Sequence, residues 1–219
     1  MLSVAAARML DMSPIDNVWV DGSKRGLAYA FGEVETHLRQ HSRTFSQRAL
    51  LLPHGAARNE SYHQNYSANK NVGLARGKSP ARGGPVLAVD PPLKLLELGL
   101  RLADGQLFGV ATVHPHEILG WATATKALDL TSGERHPGVP PAIEEALQDL
   151  YDAGYNGYAR QRERFFAAKY FPPIDILMDT GYDVDFVKSY LVVLGKSSSS
   201  VERIDRLYVP PSQRPRATG

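Results

Sequence analysis

Cysteine is absent from this 219-residue chain, and that single absence excludes disulfide frameworks, thiolate-held zinc, iron–sulfur clusters and thiol nucleophiles. Any metal must then rest on histidine and carboxylate ligands. A reducing, cytoplasmic compartment is the expectation that follows. Long apolar runs are also lacking: Asp, Glu, Lys or Arg interrupts each one well before the roughly 18 residues that a membrane-spanning helix needs. No membrane partner is expected. Residues 1–10 are apolar but have no basic leader and run into Arg8 and Asp11, so they read as an N-terminal helix or tail rather than a secretion signal. The formal net charge of +2 is too small to act as a global attractor for nucleic acid, which leaves only the distribution of charge informative. Neither G-x-S-x-G nor G-x-G-x-x-G occurs, so a serine nucleophile elbow and a Rossmann-type cofactor site have no basis in the sequence, and no organic cofactor is expected.

What is present is a globular composition. Hydrophobic residues make up 43% and charged residues 22%, enough to bury a core without cross-links. Short apolar runs at 18–20, 49–52, 85–89 and 107–113 each stop at a polar or turn residue and read as buried strands. Between them lie helical periods. Leu27, Phe31, Val34 and Leu38 fall on one helix face; Leu93, Leu96, Leu100 and Ala103 fall on another, opened by Asp90-Pro91-Pro92; and residues 115–128 make a third. This alternation predicts an α/β fold: a small, mostly parallel sheet of about four strands with flanking helices over residues 15–130. An α-helical C-terminal unit is expected over 140–208, after a linker rich in Gly, Pro and Ser. Within it Pro172-Pro173 is expected to break the chain between two helices. Residues 209–219, basic and Pro-containing, are expected to be a disordered tail.

Three features bear on function. The first is an insert over 54–84, about thirty residues between two strands and longer than such connections usually run. It carries Arg58, Lys70, Arg76, Lys78 and Arg82 against the single acid Glu60, with Tyr62 and Tyr66 among Asn and Gln. Cations that meet phosphates and rings that stack on unpaired bases suit nucleic acid. The segment from Gly73 to Ser79 resembles a phosphate loop but is one spacer short, and Pro80 obstructs the helix that should follow.

The second feature is the set of residues that end the strands: Asp21, His54, Asp90 and His114, with His116 and Glu117 just beyond. Parallel strands bring their carboxyl ends to one edge, where open α/β sheets bind ligands. Asp21, His54, Asp90 and His114 are therefore candidate catalytic residues of a metal- or phosphate-dependent hydrolase. His114 and His116 are candidate ligands for a divalent metal. The third feature is the pair of helical stretches 183–194 and 199–208 around Gly195, which have the outline of a helix-turn-helix. The sequence thus points to a nucleic-acid-binding accessory protein using the 54–84 insert and the C-terminal helices, with a strand-end hydrolase and a protein–protein interaction module as alternatives.

Overall fold

The computed structural model describes residues 17–55, 60–66, 71–77, 79–158 and 164–214. Arg58, Lys70 and Lys78 of the insert, the N-terminal segment to residue 16 and the tail from 215 onward lie outside the described residues. The sheet is six-stranded, all parallel, in the order β3-β2-β4-β5-β1-β6. Its members are β1 (Val18–Asp21), β2 (Ala49–Leu52), β3 (Val72–Leu74), β4 (Val86–Val89), β5 (Phe108–Thr112) and β6 (Leu128–Asp129). Helices α1 (Leu27–His41), α2 (Leu93–Leu102) and α3 (Leu119–Ala124) connect them. No helix among the described residues is long and apolar enough to cross a membrane.

The period-two alternation of a strand explains how such apolar runs are used. Val18, Val20, Leu50, Leu52, Leu87, Val89 and Ala111 point to one face, where Ala30, Phe31, Val34 and Leu38 of α1 cover them. Trp19, Ala49, Leu51, Val86, Ala88, Phe108 and Val110 point to the other, under Leu95 and Leu96 of α2 and Trp121 and Ala122 of α3. With both faces covered, almost every position is buried and the strands read as continuous apolar runs.

Two strands were not expected. β3 and β6 are three and two residues long, too short for any periodic signal. β3 lies inside the insert, which is therefore not a free loop. Asn71 ties the returning chain to this edge: its side chain donates to the carbonyl of Ala81 at 3.1 Å and accepts from the Ala81 amide at 2.7 Å. Pro80 packs so closely on Gly73 that a Cβ there would lie 2.6 Å from the proline ring. This fastens the returning chain over the face of β3. The third predicted helix is correspondingly shorter than expected, because Leu128 and Asp129 pair with Val18 and Trp19 of β1.

The C-terminal helices α4 (Pro141–Ala153), α5 (Arg164–Asp179), α6 (Val184–Val193) and α7 (Ser198–Val201) gather around Leu147, Leu150, Tyr170, Ile174, Leu177, Val187, Leu191 and Ile204. Helix α6 lies against α3 and α2. A Cβ on Gly120 would come within 1.9 Å of the Phe186 carbonyl, so only glycine permits that approach. Asp183 and Ser197 are N-caps, accepting from the amides of Phe186 and Ser200.

Two expectations fail here. Pro172 and Pro173 do not break the chain but lie inside α5. Each removes a backbone bond at a cost of about 3 kcal/mol, yet Tyr170, Ile174 and Leu177 are fully buried on either side, and that packing holds the helix through them. The tail is docked at least as far as Arg214, which pairs with Asp175 and lies over the Phe171 ring.

Candidate functional site

The strand order fixes where a crevice can open. From β1 the chain leaves through α1 on one face toward β2; from its neighbour β5 it leaves through α3 on the other face toward β6. Connections that leave adjacent strands on opposite faces open a crevice beyond their carboxyl ends, here between β1 and β5 and also between β2 and β4, and ligands of open α/β sheets bind in such crevices.

Asp21 and Thr112 are the paired last residues of those two strands. Asp90 follows Val89, the partner of Ala111, on the next strand, and its amide donates to the Ala111 carbonyl at 2.8 Å. Asp21, Thr112 and Asp90 therefore stand in one row across β1, β5 and β4. Neighbouring strands lie about 4.8 Å apart, so the two aspartate backbones are about 10 Å apart.

Asp90 is not the N-cap its sequence context suggests. Its Oδ1 accepts from the Thr112 hydroxyl at 2.9 Å and the Val113 amide at 2.8 Å, and the Thr112 hydroxyl oxygen in turn accepts from the His114 amide. Its backbone sits at φ 38°, a left-handed conformation that costs a non-glycine residue about 1 kcal/mol or more.

The turn from β1 into α1, Asp21-Gly-Ser-Lys-Arg-Gly26, completes the edge. Asp21 Oδ1 accepts from the Ser23 amide at 2.8 Å. A Cβ on Gly22 would lie 2.8 Å from the Gly26 carbonyl, and Gly26 has φ 90°, so the turn closes tightly on the helix. Among the described residues the N-terminus of α1 has no side-chain cap, and its first turn has no acid. Its amides thus leave partial positive charge at the edge, while Ser23, Lys24 and Arg25 are exposed beside it.

The other predicted residues divide clearly. Tyr62 is half-buried against Phe31, with ring centroids 5.3 Å apart; burial, then the charges of Glu60 and Asp90, push its hydroxyl above the ordinary tyrosine range. The 60–66 segment packs on the α1 side of the sheet, with Tyr62, His63 and Tyr66 around Phe31. Tyr66 is fully buried between Phe31 and Phe45, which removes it as a stacking platform for a base. Arg76 and Arg82 are exposed, but Arg76 follows β3 at the carboxyl edge, whereas Arg82 lies with Arg101 toward the opposite edge. His54, His114 and His116 are exposed, and the last two rings are 6.2 Å apart. Among the described residues no three His, Asp or Glu side chains are grouped to hold a metal ion, so the four strand-end residues do not form a complete ligand set.

The helix-turn-helix outline is not carried into three dimensions. Its second helix, α7, spans four residues before a 3-10 segment (Glu202–Arg206), and Val201, Ile204 and Leu207 are buried. The Ser198 amide and hydroxyl both donate to Glu97 of α2, at 2.9 and 2.7 Å. Thr112 and the uncapped α1 turn were missed in the sequence; the Gly22 and Gly26 spacing directly after a strand was the available signal. No protein-family model matches this chain, and comparison with the curated proteins and with the solved structures finds no match.

Proposed function

We propose that this chain binds a phosphate ester at the carboxyl edge of β1, β5 and β4 and hydrolyses it with the help of a divalent cation. The observation that carries the reading is the row Asp21–Thr112–Asp90 at the β1–β5 crevice, beside the uncapped N-terminus of α1. Magnesium-type ions are commonly held by one or two carboxylates, with substrate phosphate oxygens and water completing the shell. Asp21 and Asp90 supply two carboxylates for such an ion. Helix amides with Ser23 and Lys24 suit the phosphate itself. Such a cation, held by Asp21 and Asp90, would supply Lewis-acid activation of a phosphoryl oxygen and of an attacking water. The water oxygen would bond to phosphorus as the P–O ester bond breaks, its proton leaving to solvent, while a protonated His114, exposed on the same edge, would give its proton to the leaving oxygen. Nucleic acid is the polymer of this chemistry, and exposed Arg76, just beyond β3 at this edge, is the described cation of the insert that favours it.

Manganese titration of the full chain, followed by assay on bis(p-nitrophenyl) phosphate and on a labelled single-stranded oligonucleotide, tests this. One manganese site is expected, lost in Asp21→Asn and in Asp90→Asn together with cation-dependent cleavage. Absence of cation binding, or binding indifferent to both variants, defeats the reading. A second reading, an accessory nucleic-acid-binding protein without catalysis, is favoured by exposed Arg76 just beyond β3. It requires metal-free oligonucleotide binding that survives both aspartate variants and has a shallower salt dependence in Arg76→Gln.

A further inference from the structure

At the opposite edge of the sheet, α2 and α6 part to leave an open cleft of about 380 Å³. Its walls come from three distant segments. Glu97, Leu100, Arg101 and Asp104 face it from one side of α2 and the residues that follow; Val192, Val193, Gly195 and Lys196 face it from the end of α6; Arg82 reaches it from the insert. The floor is apolar, made by Leu100, Val192 and Val193.

Three cations, Arg82, Arg101 and Lys196, face two acids there. Glu97 accepts from the Ser198 amide and hydroxyl, which fix its carboxylate toward α7, and Asp104 is exposed at the rim. Arg82 and Arg101 are exposed and have no acidic partner among the described residues. Lys196 is half-buried, with its ammonium 4.2 Å from the Tyr151 ring centroid. Burial holds that ammonium below the ordinary lysine range against the nearby charge of Asp152, so an anion that neutralises it gains more than it would in water. Guanidinium forks match the planar or tetrahedral oxygens of a carboxylate or phosphate.

We infer that this cleft is a second ligand site, separate from the carboxyl edge, for a small organic anion whose charged head meets Arg82, Arg101 and Lys196 and whose apolar body lies on Leu100, Val192 and Val193. A few convergent polar groups over an apolar floor are the usual make-up of small-molecule sites. The inference does not depend on the hydrolase reading.

Calorimetric titration of the full chain in EDTA with benzoate, phenyl phosphate and inorganic phosphate tests it. Saturable binding of an aromatic anion is expected, with inorganic phosphate weaker because it lacks the apolar body; the tighter of the two aromatic probes identifies the head group. Arg82→Gln and Arg101→Gln, both at exposed positions, should each weaken binding about tenfold, the size of one charge-assisted hydrogen bond. Asp21→Asn should leave it unchanged. No saturable heat with either aromatic anion, binding that survives both arginine variants, or binding lost in Asp21→Asn overturns the inference.

Discussion

Asp90 and Thr112 end neighbouring strands and are joined side chain to side chain, the threonine hydroxyl donating to the aspartate at 2.9 Å. The same carboxylate oxygen takes the Val113 amide, and the aspartate backbone is left-handed. A structural cost concentrated at a sheet edge that also opens a crevice marks the place where ligand chemistry is expected.

Asp90→Ala should lose about 2–4 kcal/mol of stability in urea titration. It leaves the Thr112 hydroxyl and the Val113 amide without their acceptor and forces alanine into the left-handed region. Asp90→Asn keeps an acceptor and tolerates that backbone, so its loss should be nearer 1 kcal/mol. Equal losses in the two variants would contradict this account.

Two glycines in one βα unit should respond in opposite senses. Gly22→Ala places a Cβ 2.8 Å from the Gly26 carbonyl and 3.1 Å from the Ala30 Cβ and should destabilise by about 1–3 kcal/mol. Gly32→Ala, inside α1 with nothing within 4 Å of its Cβ, should stabilise by about 0.5–1 kcal/mol. Chemical denaturation of the two single variants compares them directly.

Gly120→Ala tests the junction between the sheet layer and the C-terminal helices. The new Cβ would fall on the Phe186 carbonyl and the Ser189 hydroxyl, where neither backbone can give way locally. A loss of more than about 3 kcal/mol is expected, with hydrogen exchange accelerating first in α6. A wild-type exchange pattern would show that the two layers do not depend on this contact.

Tyr66 keeps a hydroxyl in the core with no hydrogen-bond partner among the described residues. Tyr66→Phe should therefore be neutral or stabilise by about 1 kcal/mol. A destabilisation beyond 1 kcal/mol by thermal or urea unfolding would mean that the hydroxyl has a partner.

The alkaline limb of the stability profile has a definite sign. Burial raises the hydroxyl pKa values of Tyr66, Tyr158 and Tyr208. At Lys188 burial pulls the pKa down, but the hydrogen bonds and charges of Asp185 and Asp205 outweigh it and hold the pKa up. Each group stays protonated in the folded chain at a pH where the unfolded chain has released its proton. The folded state then binds more protons, so stability is intact below about pH 10 and falls as the pH rises beyond it. Urea midpoints measured from pH 8 to 11 should show a flat stretch and then a decline, with a shallower decline in Tyr66→Phe.

The strands that were legible, 18–20, 49–52, 85–89 and 107–113, were so because both faces of a parallel sheet are covered and the sequence must be apolar at every step. The helix stripe of Leu27, Phe31, Val34 and Leu38 was legible for the related reason that one face of a 3.6-residue period is buried. Short edge strands such as Val72–Leu74 leave no such trace, and the prolines of α5 point the wrong way because local preference is weaker than the packing of Tyr170, Ile174 and Leu177. Strand-end acids were visible as residue types; which of them are neighbours was not.

By itself, the chain of residues determined that a layered α/β fold would form, without disulfide or thiolate chemistry and with acids and histidines at the strand ends. Tertiary structure alone decided that β5 lies between β1 and β4, bringing Asp21, Thr112 and Asp90 into one row, burying Tyr66 and parting Arg76 from Arg82. The physical reason is that burial and periodicity act residue by residue along the chain, whereas strand order is set by which apolar faces and crossovers pack together, a property of pairs far apart in sequence.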